Sequence, residues 1–404
     1  MKVAVIGGGA AGFFSAIHAK AAHPQAEVTI FEKSRKLLTK VKISGGGRCN
    51  VTNACTDIKV LSEAYPRGGK QLKRAFRVFS TGDTMRWFED RGVPLVVQED
   101  NCVFPKSQRS QSVIDCFMLE AQRLGITIEV GMGVQAIQTK GEQLELYFIK
   151  EDLPPQCFDK IIVATGGSPK RRGLDWLEAL GHQIAEPVPS LFTFNMPSES
   201  ITELMGIVVP KALTSIQGTK LRADGPLLIT HWGMSGPAIL KLSAFGARLL
   251  SEKDYRFKVQ VNWVDEPNQE QVAEQLRSIT QEQRSKQLSN YRPYRLPERL
   301  WHFLLQKSEL PAQKRWGELG KKGINKLTSL LSNDEYSVQG KTTFKEEFVT
   351  CGGVSLQSID FNTMQSRVCK NLYFTGEVLD IDGITGGYNF QSAWTTAFIA
   401  GQLN

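Results

Sequence analysis

The chain opens with Lys2-Val-Ala-Val-Ile-Gly-Gly-Gly-Ala-Ala-Gly-Phe13, a short apolar run that stops at three consecutive glycines. Such a run is typical of a buried strand in a parallel sheet. The spacing Gly7-x-Gly9-x-x-Gly12 suits a tight turn, a close approach of the backbone to a pyrophosphate, and a helix that begins at that turn. This stretch therefore predicts the first βα unit of a dinucleotide-binding fold.

The next apolar run supports that interpretation. Residues Val28 to Phe31 predict a second strand, and Glu32 follows it twenty residues beyond Gly12. A carboxylate at this distance is expected to bind the ribose of a dinucleotide. A glycine turn with a purely structural role is the alternative, but it would not explain the acid.

Composition limits the classes of function. The 404 residues suffice for two or three domains, and 41% hydrophobic with 22% charged residues indicates a globular protein. No apolar run reaches the length of a membrane span, and we expect no signal peptide before the first strand. Seven cysteines at irregular spacings form neither a disulfide framework nor a zinc pattern. We therefore expect a cytoplasmic protein with reduced thiols, no metal and no membrane partner, whose oligomeric state the sequence leaves open.

Basic residues are clustered along the chain, and the net charge is +8. One cluster extends from Lys33 to Arg48, a second from Arg67 to Arg77, and a third occupies residues 170–172. Such clusters suit cofactor phosphates, an anionic substrate or nucleic acid. A solvated basic face is the alternative interpretation.

A second glycine-rich stretch, which we predict to be a loop, spans residues 40–53 and contains Ser44-Gly-Gly-Gly-Arg-Cys-Asn50. Three consecutive glycines suit a backbone that passes very close to a flat or phosphorylated ligand, and the polar neighbours can hydrogen-bond to it. An ordinary flexible loop is the alternative.

Two more strands are predicted to end at the same ligand. Residues 126–130 predict a third parallel strand with Val134 just beyond it, and residues 135–149 predict a small antiparallel meander. Residues 161–164 predict another buried strand, followed by Thr165-Gly-Gly167. Ligands of open α/β sheets bind at the carboxyl ends of the strands, so we expect these turns to contact one ligand.

The middle of the chain has a different pattern. Short strand candidates follow one another from about residue 187, and residues 265–335 are polar with helical periodicity. Strand character returns near Lys341. We therefore predict one domain from residues 1–190 and 342–404, interrupted by an inserted domain at 191–341.

The last segment predicts a second anion site. Residues 371–377 predict a strand that runs into a glycine and an acid, and Gly386-Gly-Tyr-Asn389 leads into an apolar helix. The N-terminus of that helix would stabilise an anion through its free N–H groups and its dipole. A reduced flavin is such an anion, so this helix favours a flavin protein over a simple NAD dehydrogenase.

Together these motifs resemble the BaiN/RdsA (YhiN-like) flavoproteins. The resemblance implies an α/β fold with a Rossmann-type FAD-binding domain assembled from both chain ends, a parallel sheet with a small antiparallel meander, and an inserted domain of β-barrel and helices. The motifs that carry it begin at Gly7 and continue with Ser44-Gly-Gly-Gly-Arg-Cys-Asn50, Ala164-Thr-Gly-Gly167, Thr230-His-Trp-Gly-Met-Ser-Gly-Pro237 and Gly376-Glu-Val-Leu-Asp-Ile-Asp-Gly-Ile-Thr-Gly-Gly-Tyr-Asn389.

The resemblance also implies the residues that bind FAD. The first motif would hold the pyrophosphate, the end of the second strand the adenosine, and the middle and C-terminal motifs the flavin. No second complete Gly-x-Gly-x-x-Gly exists, so NAD(P)H is expected only as a transient donor. The implied cofactor-binding residues are Gly7, Gly9, Ala10, Gly12, Glu32, Lys33, Ser44, Gly45, Gly46, Gly47, Arg48, Cys49, Asn50, Val134, Ala164, Thr165, Gly166, Gly376, Glu377, Gly386, Gly387, Tyr388 and Asn389.

The implied activity is a flavin reductase fed by NAD(P)H, which delivers hydride to an activated carbon–carbon double bond while a side chain protonates the neighbouring carbon. Cys49, beside Arg48, is our first candidate for that acid and Tyr388 the second, although Cys49 could equally be a packing residue. The family is associated with uridine in ribosomal RNA, unsaturated steroid acids and amines, and the basic clusters favour RNA. An oxidase of a small amine and a non-catalytic flavin-dependent RNA-binding factor are the alternatives.

Overall fold

The computed structural model describes residues 1–342 and 349–404. The chain divides into two compact units. Unit 1 comprises Met1–Ser190 and Lys345–Asn404, and unit 2 comprises Leu191–Phe344. Each unit has its own cluster of buried apolar side chains.

The described residues form strands and α-helices with the following bounds. The strands are β1 (Lys2–Ile6), β2 (Glu27–Glu32), β3 (Thr52–Asn53), β4 (Leu95–Val97), β5 (Cys102–Pro105), β6 (Thr127–Val130), β7 (Val134–Lys140), β8 (Gln143–Phe148), β9 (Gln156–Phe158), β10 (Lys160–Val163), β11 (Ile184–Ser190), β12 (Thr193–Asn195), β13 (Val208–Ile216), β14 (Arg222–Thr230), β15 (Gly233–Ser235), β16 (Arg256–Asn262), β17 (Asp334–Gln339), β18 (Lys341–Thr342), β19 (Val349–Val354), β20 (Ile359–Asp360), β21 (Gln365–Ser366) and β22 (Leu372–Phe374). The helices are α1 (Ala10–Ala22), α2 (Thr39–Gly47), α3 (Ile58–Glu63), α4 (Gly69–Ala75), α5 (Thr81–Glu89), α6 (Gln111–Arg123), α7 (Asp175–Glu178), α8 (Pro237–Glu252), α9 (Gln269–Glu282), α10 (Glu298–Lys307), α11 (Gly320–Ser332) and α12 (Tyr388–Ala400).

The main sheet of unit 1 has the strand order β20-β21-β22-β10-β1-β2-β6. Strands β22, β10, β1, β2 and β6 are parallel neighbours. In β1, residues Val3 to Val5 are fully buried, as expected for a strand that is covered on both faces. The parallel order and the central position of β1 confirm the predicted Rossmann-type architecture.

Smaller sheets complete unit 1. Strands β7, β8 and β9 pair antiparallel and form the predicted meander. Strands β3, β5 and β4 form a second antiparallel sheet beside the segment at residues 49–53. Strand β11 pairs with β19, so the two chain segments of unit 1 are joined by backbone hydrogen bonds as well as by the main sheet.

Helices α1 and α12 pack side by side in the same direction. A Cβ at Gly376 would lie 2.9 Å from the Cβ of Ala11 and 3.8 Å from that of Ala393, near the start of each helix. A Cβ at Gly401, just after α12, would lie 2.7 Å from the Cβ of His18, near the end of α1. Both helix N-termini therefore lie at the same end of unit 1.

Unit 2 contains an antiparallel sheet of order β17-β16-β13-β14-β15-β12-β18. Gly340 joins its outer strands, because it connects β17 to β18 while its N–H donates to Tyr255 and its carbonyl accepts from Asn195. The sheet is thereby curled on itself, as the predicted barrel requires. Helices α8 and α11 pack on the sheet, and buried side chains of α9 and α10 belong to the same apolar cluster. Among the residues described, no helix is both long and apolar enough to cross a membrane.

Candidate cofactor site

Four neighbouring parallel strands end next to the residues that we predicted to bind the cofactor. Strand β2 ends at Glu32, and β1, β10 and β22 end just before Gly7, Ala164 and Gly376. Because carboxyl ends of parallel strands meet at one edge, motifs separated by hundreds of residues in the chain become neighbours. The tertiary structure thus brings these four motifs together at a single sheet edge.

The glycines of the first turn are there for two different reasons. A Cβ at Gly12 would lie 1.8 Å from the carbonyl oxygen of Gly7. Gly7 has a φ of +118°, and a Cβ there would lie 2.4 Å from the carbonyl oxygen of Ala164. Backbone packing therefore requires both of these glycines. A Cβ at Gly9 would meet no atom within 4 Å, so only a ligand that approaches the backbone would require glycine there.

Two helix N-termini at this end of unit 1 have neither a side-chain cap nor an acidic residue in their first turn. The residue that precedes α1, Gly9, makes no side-chain cap, and the first turn contains no acidic residue. Gly387 precedes α12 in the same way, again without a cap or an acid in the first turn. Backbone N–H groups at such ends attract anions. The arrangement can therefore bind two negatively charged groups.

Glu32 holds the turn after β1 in place. Its Oε2 accepts a hydrogen bond from the N–H of Gly8 at 2.8 Å, and its Oε1 accepts one from Ser34 at 2.8 Å. Lys33 is exposed, and Val134 is half-buried at the first position of β7. A Cβ on Gly133 would lie 3.4 Å from the Cβ of Lys33, so the residues predicted to bind the adenosine lie close together.

The stretch at residues 44–50, predicted to be a loop, lies partly in helix α2. The helix is kinked, with Ser44 extended and Gly45 and Gly46 left-handed at φ of +58° and +67°. Glycine permits the left-handed turn that ends this helix, which corrects the expectation of a simple loop. Arg48 lies over the ring of Phe104, with 4.1 Å from its guanidinium carbon to the ring centroid, and its Nε donates to the carbonyl of Gly45.

The segment at residues 50–53 directly contacts the start of α12. The Nδ2 of Asn53 donates to the carbonyl oxygen of Gly386 at 3.1 Å. The hydroxyl of Thr52 donates to Gln391, 339 positions away, at 2.5 Å. A Cβ at Gly387 would lie 2.4 Å from the carbonyl oxygen of Thr52. The two motifs that the resemblance assigned to the flavin are therefore adjacent.

Asn389 organises the turn before α12. Its Oδ1 accepts from the N–H of Gly383 at 2.9 Å, and its Nδ2 donates to the carbonyl of the same residue at 3.0 Å. The hydroxyl of Tyr65 donates to the carbonyl of Tyr388 at 2.7 Å. These contacts hold the N-terminus of α12 in one conformation, so Asn389 shapes the site through the backbone.

The two predicted proton donors differ in their access to a ligand. The Cys49 side chain is fully buried, and burial raises the pKa of its thiol to about 12, against a smaller opposing effect of a hydrogen bond with Ser44. Tyr388 is half-buried at the start of α12, and burial raises the pKa of its phenol to about 12. The Cys49 thiol is enclosed by protein and already hydrogen-bonded to Ser44, whereas Tyr388 keeps exposed surface, so the geometry favours Tyr388 and the packing role for Cys49.

Glu377 belongs to a cluster that the sequence did not predict. Its Oε2 accepts from the Nζ of Lys40 at 2.7 Å, and its Oε1 accepts from the N–H of Thr350 at 2.9 Å. A Cβ at Gly167 would lie 2.5 Å from the Thr350 hydroxyl oxygen and 2.6 Å from the Glu377 Oε1. The glycine pair 352–353, which follows Thr350 closely, was the signal that could have drawn attention to β19.

Arg67 is not part of an exposed basic cluster. It forms an ion pair with Asp382, which is fully buried and also accepts a hydrogen bond from Ser190 at 2.6 Å. Desolvation raises the pKa of Asp382, and the charge of Arg67 opposes that shift. The pair links loops of unit 1 to one another, so Arg67 should be removed from the residues predicted to meet an external anion.

Three features of the described residues fit FAD. Ideal Cβ atoms at Gly9, Gly46 and Gly166 would meet nothing within 4 Å, which leaves the backbone open to a flat or phosphorylated ligand. Two uncapped helix N-termini can receive the pyrophosphate and a negatively charged ring. The hydroxyl of Thr350, next to Glu377, is a buried polar group without a hydrogen-bond partner among the described residues. No group of three or more His, Cys, Asp or Glu side chains in the described ranges could hold a metal ion.

Comparison with known proteins agrees with this geometry. The chain matches the HI0933-like protein Rossmann domain family over residues 1–403. The 3-dehydro-bile acid delta(4,6)-reductase of Clostridium scindens is 26% identical over 99% of this chain and 98% of its own length. The ribosomal RNA dihydrouridine synthase of Haemophilus influenzae is 29% identical over 98% of this chain and 96% of its own.

A solved structure supports the fold. The 3-ketosteroid delta1-dehydrogenase from Sterolibacterium denitrificans, in complex with 1,4-androstadiene-3,17-dione, has a TM-score of 0.52 at 9% identity and covers 99% of this chain and 98% of its own. The predicted family resemblance, fold class and enzyme class are confirmed. The match extends over nearly the whole chain, and the protein therefore belongs to the HI0933-like Rossmann-domain family of FAD-dependent oxidoreductases.

Proposed function

We propose that this protein is an NAD(P)H-dependent reductase of an activated carbon–carbon double bond, and that its substrate is a uridine of ribosomal RNA, which becomes dihydrouridine. The relative from Haemophilus influenzae bears the name of that activity and aligns over nearly the full length of both chains. The observation in this molecule that carries the proposal is an exposed basic face on helix α4.

Four basic side chains of one short segment form this face. Lys70, Lys73, Arg74 and Arg77 follow spacings of 3, 4 and 7 residues, which place them on one side of α4 and its C-terminal extension. All four are exposed, and none forms an ion pair within the described residues. Unpaired cations on one face suit a phosphate backbone, because each phosphate contact releases counterions.

The residues at the sheet edge are assigned to parts of the cofactor. The N-terminus of α1 and the open backbone at Gly9 would hold the pyrophosphate, and Glu32 the adenosine ribose. The start of α12 and residues 44–50 would contact the flavin, with Glu377 at the ribityl chain. FAD, when bound, supplies two-electron transfer between a nicotinamide donor and the double bond. The positive end of α12 favours negative charge on the ring.

Tyr388 is our proposed proton donor. Reduction of a double bond adds a proton as well as a hydride, and a positioned side chain can supply that proton. The pKa of about 12 keeps the phenol protonated at neutral pH, so it is in the donating form. Within the described residues its hydroxyl makes no hydrogen bond to the protein, and its orientation is therefore free to serve a substrate.

Substitution of Tyr388 tests this role. We expect Tyr388→Phe to leave reduction of the flavin by NAD(P)H unchanged and to slow its reoxidation by substrate about 100-fold, the loss typical of a missing general acid. Stopped-flow absorbance separates the two half-reactions. Cys49→Ala is the matched variant and should retain substrate turnover. Normal turnover by Tyr388→Phe would exclude Tyr388 as the proton donor. Loss of turnover in Cys49→Ala alone would identify Cys49 as the donor instead.

The substrate is tested by anaerobic reduction with NADH and NADPH, followed by reoxidation with several acceptors in parallel. We expect a ribosomal RNA fragment to reoxidise the flavin and to gain two hydrogen atoms per modified uridine, measured by mass spectrometry. Reoxidation by RNA without that mass gain, or no reoxidation by RNA, would refute the proposal. Oxygen consumption with peroxide release on an added amine would instead identify an amine oxidase.

An unsaturated steroid acid is the second candidate substrate. The relative from Clostridium scindens is named for a bile-acid reduction and covers 99% of this chain. The chemistry is the same, a double bond activated by a carbonyl, so the sheet-edge residues would keep their roles. Reoxidation by a bile-acid enone and not by RNA would select this candidate, and binding would then not depend on Lys70, Lys73, Arg74 or Arg77.

A further inference from the structure

Unit 2 contains a cavity of about 690 Å³ between helix α9 and the start of helix α11. The cavity is formed by the end of α9, the residues that follow it, the short turn at Trp316–Glu318 and the first turns of α11. Its size is in the range of small-molecule sites. No residue of this cavity belongs to the sheet edge described above.

The charges that line the cavity are all positive. Arg277, Arg284 and Lys321 line it, and no Asp or Glu does. Arg277 is paired with Glu270 at 2.8 Å, whereas Arg284 and Lys321 have no ion pair in the described part of the chain. Two cations are therefore available to an external anion, and the third can exchange partners.

Backbone features reinforce this positive charge. Helix α11 begins at Gly320 and has no acidic residue in its first turn. Gly320 has a φ of +63°, and a Cβ there would meet no atom within 4 Å, so the helix start is open. The positive end of the helix dipole acts in the same place as Lys321.

A buried donor in the cavity wall also lacks a partner. Trp316 lines the cavity and is fully buried, and its indole Nε1 has no hydrogen-bond partner among the residues described. Its ring is stacked on Trp301, with centroids 6.1 Å apart, so its position is fixed. A buried indole N–H usually finds an acceptor, and an oxygen of a ligand in the cavity would be one.

Gly317 positions one of the two unpaired cations. A Cβ there would lie 2.3 Å from the Cγ of Arg284, so the glycine lets the stem of this arginine lie against the backbone. The N–H of Gly317 also donates to the carbonyl oxygen of Arg284. The stem of Arg284 thus lies against the backbone next to Trp316, while the residue as a whole is exposed and its guanidinium is accessible to a ligand.

We propose that this cavity binds a phosphate group, and that the phosphate belongs to the backbone of the RNA substrate. Two unpaired cations, a helix N-terminus and an N–H donor suit an anion with several acceptor oxygens. The volume exceeds that of one phosphate, so the attached sugar can enter as well. The RNA part of this inference rests on the proposed function, whereas the phosphate part does not.

Removal of the two unpaired cations tests the site. We compare the FAD-loaded wild type with the double variant Arg284→Gln/Lys321→Gln and with Lys253→Gln/Lys322→Gln, which removes the same charge from exposed lysines outside the cavity. RNA affinity is measured by fluorescence anisotropy at several salt concentrations. We expect the slope of log K against log salt concentration to be smaller in magnitude by roughly 1.4 in the cavity variant, about 0.7 for each lost phosphate contact. The control variant should change this slope less.

Trp316→Phe provides a test that does not alter charge. It retains the ring that packs on Trp301 and removes the indole N–H. We expect weaker RNA binding with an unchanged salt slope and an unchanged rate of flavin reduction by NAD(P)H. RNA binding equal to the wild type would exclude the indole N–H from the site.

The outcomes separate this inference from the proposed function. If the wild type binds RNA and the cavity variant binds it with the same slope, the cavity is not the RNA site and the RNA substrate is unaffected. If inorganic phosphate or uridine monophosphate binds in calorimetry, is lost in the cavity variant, and RNA does not bind, the site is for a small phosphorylated ligand and the RNA part is refuted. If none of these ligands binds the wild type, both parts of the inference fail.

Discussion

Helices α1 and α12 have N-termini of the same kind. Each follows a glycine turn, lacks a side-chain cap and has no acid in its first turn, and their N-termini lie at the same end of unit 1. Their glycines are required for different reasons. At α1 the constraint is local, because Gly12 packs on Gly7, whereas at α12 Gly387 packs on Thr52, more than three hundred positions away. The comparison teaches that one half of this site is encoded by short-range spacing and the other half by tertiary contacts.

A buried amide shows how strongly α12 depends on distant residues. The Oε1 of Gln391 accepts from the hydroxyls of Thr52 and Thr84, and its Nε2 donates to Thr395. Gln391 is fully buried, so each of these bonds replaces one that water would make. The turn before α1 is held by a closer residue, because the N–H of Gly8 donates to Glu32, only 24 positions away.

The largest effect is expected for Gly12→Ala, which tests the short-range contact at the start of α1. The new Cβ would lie 1.8 Å from a backbone oxygen that a side-chain rotation cannot move. We expect a loss of about 4 kcal/mol in the free energy of unfolding, at the upper end of overpacking effects. Urea denaturation and the flavin content of the purified protein measure it. Stability equal to the wild type would show that α1 can shift, and the local constraint would be disproved.

Gly9→Ala is the matched control at the same turn. Its Cβ meets no protein atom within 4 Å, and its φ of −94° suits alanine. We expect the apoprotein to keep its stability to within about 0.5 kcal/mol, the usual range at unconstrained sites. FAD affinity should nevertheless fall at least tenfold. Unchanged affinity would contradict the assignment of Gly9 to the pyrophosphate.

Gly387→Ala tests the tertiary contact between the start of α12 and Thr52. The residue has a φ of +87°, and its Cβ would lie 2.4 Å from the carbonyl oxygen of Thr52. We expect a loss of about 3 kcal/mol, of which the left-handed backbone accounts for roughly 1–2 kcal/mol and the contact for the rest. Thermal unfolding of the apoprotein measures it.

Gly92→Ala isolates the backbone contribution to that loss. Gly92 has a similar φ of +76°, but a Cβ there would meet nothing within 4 Å. We expect only the conformational cost of about 1 kcal/mol. Equal losses at positions 92 and 387 would show that the contact between α12 and Thr52 contributes nothing, and the comparison of the two helices would lose its basis.

The last expected effect is a pH dependence at the contact between the two helices. His18 of α1 lies 4.8 Å, centroid to centroid, from the ring of Phe398 of α12, and its Nε2 is buried without a partner in the described ranges. Burial, with a smaller contribution from the charge of Arg91, lowers the pKa of His18 to about 3. The unfolded chain therefore binds a proton below about pH 6.5 that the folded protein does not.

The contribution of neutral, buried His18 to the free energy of unfolding is complete above pH 6.5 and declines as the pH falls toward 3. The expected loss is about 1.4 kcal/mol per pH unit, or about 2 kcal/mol at pH 5. Carboxylates also titrate in this range, so the measured quantity is the difference between the wild type and His18→Phe in denaturation at pH 7 and pH 5. Identical pH dependence of the two proteins would mean that His18 is solvated in the native state.

Much of the fold could be predicted from the sequence, because its signals are short-range. The strands at Val3 to Ile6 and Ile161 to Val163, the meander and the helix that follows Gly387 all depend on neighbouring residues. The glycine turns at the strand ends were identified for the same reason. The predicted loop at residues 44–50 was the exception, because consecutive glycines are compatible both with a loop and with a kinked helix end.

The site residues that were missed or misjudged depend on burial, which spacing does not reveal. Cys49 and Arg48 are adjacent in sequence, yet the thiol is in the core and the guanidinium lies over Phe104. Arg67 resembled its basic neighbours until its carboxylate partner was found at Asp382. Lys40 and Thr350 became site residues only because Glu377 lies between them.

The sequence by itself determined the strand, the glycine turn and the acid of the first βα unit, and it predicted that this turn holds a dinucleotide phosphate, since all three lie within about thirty residues. Only the tertiary structure decided which side chains come together around this sheet edge. The start of α12, the segment at residues 50–53 and the cluster around Glu377 are held by hydrogen bonds between residues far apart in the chain. Such contacts depend on the closure of long loops and on burial, and no local pattern specifies either.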